Sequence, residues 1–297
     1  MNKKPSLQFS PLIIGTMRLG VWGAKLSSKE LERFIDECLA LGLKDFDHAD
    51  IYGHYTTESD FGRVLRRRKD LKQQVQITTK CSIKLVCKER AQHKIQSYNS
   101  TAAHIIVSAE HSLKELSIDA IDLLLLHRPD YLMNPHEIAK AFEQLRQAGK
   151  VKHFGVSNYT ASQFDLLNSF TPLVTNQLEI SILHRNAFED GTLDQCYKHG
   201  IPATAWSPLG GGKIFAESID PIILAVQKVA KNLAAKYQVG VDQILLAWIN
   251  KHPSGIVSVL GTSKIDRVAD SLKALSIELT HEEWYELWEA AAGAPVP

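Results

Sequence analysis

The sequence predicts an α/β protein of the (β/α)8, or TIM-barrel, class, a single domain over residues 1–297 with two extra helices. Three observations predict it. Short apolar runs alternate with longer amphipathic segments from one end to the other, the rhythm of parallel strands with crossover helices. Eight such runs occur, each followed by a helical pattern. One of them, Ile121-Asp122-Leu123-Leu124-Leu125-Leu126, has almost no polar alternation, as a strand buried on both faces requires.

In chain order the runs are Leu12-Ile13-Ile14, Lys44 to Asp47, Val75 to Lys80, Ile121 to His127, Val151 to Ser157, Leu173 to Gln177, Ile201 to Trp206 and Ile256 to Gly261. The helical patterns between them fall at Ser28 to Ala40, Glu58 to Arg68, Ser100 to Leu116, Pro135 to Ala148, Thr160 to Ser169, Thr192 to His199, Pro221 to Tyr237 and Lys264 to Leu275. Ser27 or Ser28 caps the first, with Glu30 and Glu32 near the positive end of its dipole. Val241 to His252 and His281 to Ala292 are the two surplus helices. A doubly wound open sheet is the rival, but it places a GxGxxG turn after its first strand. Here that position reads Gly15-Thr16-Met17-Arg18-Leu19-Gly20, without the spacing.

At 297 residues the chain buries a large core unaided by disulfide or metal. With 34 Lys and Arg against 33 Asp and Glu, the formal charge of +1 gives no field that would gather nucleic acid or a membrane surface. Cys38, Cys81, Cys87 and Cys196 are scattered and make no CxxC or Cys/His zinc spacing, so no metal is expected. The basic start, Met1-Asn2-Lys3-Lys4-Pro5, precedes no long apolar stretch, and a cytoplasmic protein, monomeric or weakly oligomeric, is expected.

Barrel enzymes assemble their sites at the carboxyl ends of the strands. Those ends read Gly15, Asp47, Lys80, His127, Ser157-Asn158, Gln177, Trp206-Ser207 and Gly261, and a closed barrel brings them to one mouth. Asp47, Lys80 and His127 titrate, and Tyr52 lies just past Asp47 in the same loop. Reduction of a carbonyl needs an acid for the forming alkoxide. A tyrosine, with a reference pKa of about 10, needs help in that task. A nearby ammonium eases loss of the phenol proton, a carboxylate keeps that ammonium charged, and a neutral imidazole orients the substrate oxygen. Tyr52, Lys80, Asp47 and His127 can take those four roles. Each also has a plain alternative as a cap, a surface strand end, a loop aromatic or a satisfied histidine.

Phe46-Asp47-His48-Ala49-Asp50-Ile51-Tyr52-Gly53 resembles the Asp-Thr-Ala-x-x-Tyr-Gly motif of the aldo-keto reductases. Thr78-Thr79-Lys80, Asp122 to His127, Gly155-Val156-Ser157-Asn158-Tyr159, Asn176-Gln177, Trp206-Ser207-Pro208-Leu209-Gly210 and Gly261-Thr262-Ser263-Lys264 are similar to further motifs of that family, in order. The resemblance implies a bound NADPH, with NADH second, and no Rossmann domain. It implies Trp206 on the nicotinamide, with Ser157, Asn158 and Gln177 at the carboxamide. Gly15, Thr16 and Met17 join the implied cofactor contacts, as do Ser207, Pro208, Leu209 and Gly210 along the pyrophosphate. Gly261, Ser263, Lys264 and Arg267 fall to the 2′-phosphate end, and Asp270 and Ser271 to the adenine. Two departures are His48 in place of the small hydroxyl residue and the order Gly-Thr-Ser-Lys in the phosphate segment. Trp22, His48 and Tyr55 are expected as walls of the pocket for a small carbonyl substrate. The rival functions are a low-turnover cofactor-binding sensor and an unrelated barrel enzyme.

Overall fold

The computed structural model describes residues 7–297; the basic start Met1 to Pro5 lies outside the described residues. Its strands are β1 (Ile13–Gly15), β2 (Asp45–Asp47), β3 (Gln76–Cys81), β4 (Ile83–Lys84), β5 (Ser97–Tyr98), β6 (Ile121–Leu126), β7 (Val151–Ser157), β8 (Asn176–Glu179), β9 (Thr204–Trp206) and β10 (Val257–Leu260). Eight of them close into a barrel in the order β1-β10-β9-β8-β7-β6-β3-β2, so the predicted class is correct. The register is what matters for chemistry. Gly15 sits opposite Asp47, Asp47 opposite Thr78, Lys80 opposite Leu125 and Ser157 opposite Gln177, so polar strand ends arrive side by side.

The helices Ser28–Ala40, Thr192–His199, Pro221–Tyr237 and His281–Ala292 have their expected bounds. Ser27 caps the first in a reciprocal pair with Glu30, which satisfies two backbone donors at once. Elsewhere local chemistry moved the ends. The last predicted segment is a helix only over Ile265–Leu272 and tightens into a 3-10 turn at Lys273–Ser276. The sixth barrel strand starts at Asn176 rather than Leu173, because before it only Val174 N to Phe154 O and Val156 N to Thr175 O link the chains. The β4–β5 hairpin was not expected: two residues per strand leave no period to read.

The chain packs as two compact units, one running to Gln177 and including Gly261–Ile265, the other made of Leu178–Leu260 and Asp266–Pro297. In the first, Leu123, Leu125 and Val174 form a buried cluster that Leu7 and Phe9 cover. Phe142 and Phe154 stack nearby at 4.0 Å. In the second, Trp248 and Trp284 stack at 5.0 Å, and each indole N–H donates to the other's carbonyl. That exchange satisfies two donors that burial would otherwise leave costly. Trp288 packs against Trp284, and both lie partly buried against the core that holds Trp248. Among the described residues, no helix is long and apolar enough to cross a membrane, and no disulfide forms.

Candidate active site

The loop after β2 turns sharply enough to return a side chain to the strand it has just left. His48 N donates to Thr78 O and Asp50 N to Lys80 O, so the chain first runs on beside β3. It then turns through Tyr52 into three consecutive left-handed residues, Gly53 at φ 60°, His54 at φ 56° and Tyr55 at φ 67°. Glycine is needed at the first: a Cβ there would lie 2.6 Å from Thr57 Oγ1. The turn aims the Tyr52 hydroxyl back at the end of β3.

What it meets is Lys80, which is 1% exposed. The Lys80 ammonium donates to Asp47 Oδ2 at 2.6 Å, His48 O at 2.8 Å and Tyr52 Oη at 3.1 Å, which uses all three of its protons. The other Asp47 oxygen, Oδ1, accepts from Gln177 Nε2 at 3.0 Å. The His127 ring stands edge-on to Tyr52 with centroids 6.0 Å apart, and its buried Nδ1 has no hydrogen-bond partner among the described residues. The four candidate catalytic groups therefore meet.

Their electrostatics correct one expectation. Burial acts most strongly on Lys80 and opposes its charge, but the Asp47 carboxylate and the Tyr52 oxygen outweigh it, and the ammonium is held more firmly than usual. Tyr52 was expected to become a better acid. Instead burial raises its pKa above the ordinary value; Lys80 pulls it down, but the charge on Asp47 helps to keep it up. Proton loss from Tyr52 thus needs a strong base to receive it. Burial, with Lys80 and Arg128 nearby, drives His127 well below the usual range, so its imidazole is neutral.

The remaining predicted residues divide. Ser157 Oγ donates to Gln177 O at 2.9 Å and accepts from Asn158 Nδ2 at 2.7 Å, with Asn158 left-handed at φ 60°. Gly15 and Thr16 are buried, Thr16 Oγ1 lying 3.0 Å from both Asp47 O and His48 Nδ1, while Met17 is exposed. His48 does not reach an open wall. It is fully buried edge-on against Phe61 at 4.6 Å, and burial pushes it down to about 3. Tyr55 is tied to the hairpin, its hydroxyl accepting from Leu85 N at 3.1 Å; Trp22 lies 6.2 Å from the Tyr52 ring.

In the second unit, Trp206 and Leu209 are half-buried and Pro208 is buried, while Ser207 is left-handed at φ 51°. Gly210, Gly211 and Gly212 all have positive φ, and a Cβ on either of the last two would meet nothing within 4 Å. Arg267, on the first turn of the helix Ile265–Leu272, is exposed, and no acid pairs with it among the described residues. Asp270 pairs with Lys273 at 2.7 Å and stays partly exposed, while Ser271 is buried with its hydroxyl on Arg267 O. In the first unit, Gly261 and Lys264 are exposed, Ser263 is half-buried, and Lys264 likewise lacks an acid partner.

Sequence reasoning missed a buried acid. Glu58 is 3% exposed and accepts from Thr79 Oγ1 at 2.6 Å and Ser112 Oγ at 3.0 Å. In sequence it is only the first residue of the helical pattern Glu58 to Arg68. Only the neighbouring Thr57-Glu58 against Phe61 and Val64 spacing hinted that this turn faces inward.

A closed parallel barrel with a half-buried phenol beside a buried ammonium, carboxylate and imidazole describes a barrel enzyme equipped to move a proton. Comparison with known proteins specifies which. The model of the aldo/keto reductase family matches residues 11–292. The chain is 41% identical over 296 residues to the oxidoreductase YcsN of Bacillus subtilis, covering 98% of this chain and 97% of that one. It is 41% identical over 293 residues to the oxidoreductase YdhF of Escherichia coli, covering 98% and 96%. It is 37% identical over 294 residues to a 6-dehydroglucose reductase of Agrobacterium fabrum, covering 98% and 97%. A crystal structure of a thermostable aldo-keto reductase, Tm1743, shares the fold with a TM-score of 0.78 at 24% identity, over 95% of each chain. The chain belongs to the aldo/keto reductase family. It is an NAD(P)H-dependent oxidoreductase of a family that reduces small-molecule carbonyl compounds.

Proposed function

We propose that this protein, read as one domain over residues 1–297, reduces aldehydes or ketones with NADPH and uses Tyr52 as the acid. The observation that carries the reading is the Lys80 ammonium, bonded at once to Asp47 Oδ2, His48 O and Tyr52 Oη. The residues present fit a dinucleotide. Lys264 and Arg267 are exposed cations without salt-bridge partners among the described residues, suited to a phosphate, and Gly211 and Gly212 leave room for close backbone approach. Ser157, Asn158, Gln177 and Trp206 would hold the nicotinamide end, Gly15, Thr16 and Met17 would border it, and Ser207 to Gly210 would follow the pyrophosphate. Ser263 and Gly261 would join Lys264 at the 2′-phosphate.

A reduced nicotinamide supplies the hydride when bound. The chain's own residues handle the oxygen. The neutral His127 ring donates a hydrogen bond that orients and polarises the carbonyl. As negative charge grows on the substrate oxygen, Tyr52 gives up its phenol proton to it. The fixed ammonium of Lys80 then stabilises the phenolate, and Asp47 keeps that ammonium in place. The raised pKa of Tyr52 suits this order: the proton stays until an alkoxide, a much stronger base than phenolate, asks for it.

Relatives named 6-dehydroglucose reductase make sugar aldehydes a reasonable substrate class to include. We also infer a cytoplasmic protein, monomeric or weakly oligomeric. Fluorescence titration with NADPH and NADH, followed by turnover with sugar, aryl and short-chain aldehydes, tests the reading. Tyr52→Phe should lower turnover by about 10²–10⁴-fold, the usual worth of a general acid, with NADPH affinity changed only a few fold. Full-speed reduction by that variant would remove Tyr52 from the chemistry.

A further inference from the structure

Trp22 and His54 belong to different loops, and a single bond joins them. The indole N–H of Trp22 donates to His54 Nε2 at 3.2 Å, and the two rings meet edge-on at 5.2 Å and 85°. The same indole lies 6.2 Å from the Tyr52 ring, inclined by 59°. Both partners are presented by constrained backbone. The loop that carries Trp22 is closed by Gly23 N to Gly20 O, Ala24 N to Arg18 O and Leu26 N to Leu19 O. His54 stands left-handed at φ 56°, a conformation that histidine tolerates better than most residues.

His54 is exposed and Trp22 only half-buried, so packing does not explain a hydrogen bond between them so close to the candidate acid. An unrestrained indole on a surface loop samples several rotamers; a bonded one presents a single flat face. We propose that His54 is a positioning residue that holds the Trp22 indole as a wall beside Tyr52, selecting carbonyl substrates whose ring lies flat against it. This rests on Tyr52 marking the reacting end of the site.

The test uses the full chain and two variants. His54→Gly removes the acceptor without straining a left-handed position, and Trp22→Phe removes the donor. With a ring-bearing aldehyde each should raise KM about fivefold, the loss of one net hydrogen bond, with kcat changing less than KM. The double variant should add little to either single, since both break the same contact. The NMR signal of the Trp22 indole N–H, assigned by its disappearance in Trp22→Phe, should move and broaden in His54→Gly. That readout does not depend on turnover, so it separates this proposal from the assignment of Tyr52. Additive effects in the double variant, or an indole signal unmoved by His54→Gly, would overturn it.

Discussion

The buried corner at Lys80 and the basic helix start at Lys264 and Arg267 are built on opposite plans. At the corner every polar atom of Lys80 and Asp47 is bonded, and both residues are within a few per cent of full burial. At the helix start two cations stand exposed, and neither forms a salt bridge among the described residues. A buried charge network costs several kcal/mol of desolvation and is tolerable only when fully paired. Exposed cations cost little to leave unpaired, because water screens them. The difference teaches where each kind of precision is needed. Proton transfer demands groups fixed before the substrate arrives, whereas a phosphate grip gains most from charges that no internal partner has claimed.

The sharpest way to break the comparison is to unpair the corner. Lys80→Met should leave the Asp47 carboxylate buried without its ammonium and cost about 3–5 kcal/mol of stability. Turnover should fall in the same variant by roughly 10²-fold or more, since the phenolate loses its neighbouring charge. Thermal unfolding and steady-state rates would read both. A Lys80→Met protein as stable as the parent would mean that the corner is not the interlocked unit described above.

The second prediction addresses the open cations. Lys264→Ala and Arg267→Ala should each weaken NADPH binding by about 10–100-fold, the usual range for a charge-assisted hydrogen bond, and leave NADH nearly untouched. Stability should stay within about 0.5 kcal/mol, as for surface changes without a partner. Equal losses for both nucleotides would move these cations away from the 2′-phosphate.

The corner was also the more legible region in sequence. Asp47, Lys80 and His127 each end an apolar run, and closing a barrel leaves strand ends no place to go but together. The return of Tyr52 followed from Gly53 only by resemblance, because nothing in composition announces three left-handed residues in a row. The sign of the Tyr52 shift was misjudged for a related reason: spacing shows that an ammonium is near, but not how much water both groups lose. His48 was misplaced because alternation along a three-residue strand does not reveal which face continues into the loop. The bonds of Asp270 to Lys273 and of Ser271 to the Arg267 carbonyl were not legible either, because a helical period does not show which neighbours a side chain engages.

Glu58 sharpens the contrast by the smallest margin, because it is a buried acid whose two bonds come from neutral hydroxyls rather than from a cation. Burial raises it from 4.5 to about 7, with Thr79 and Ser112 pulling the other way. An acid whose folded pKa exceeds its unfolded one binds more protons folded than unfolded between those values. Its contribution is therefore fully present below pH 4.5 and lost as the pH rises towards about 7. His48 runs in the opposite sense, since burial lowers it from 6.5 to about 3; stability falls as acid protonates the unfolded chain first. Glu58→Gln should remove the first slope and leave the second. Denaturant unfolding should show the variant gaining on the parent as the pH rises from 4.5 to 7, by at most about 3 kcal/mol. If the difference between the two proteins were constant across that window, Glu58 would titrate as a solvated carboxylate despite its burial.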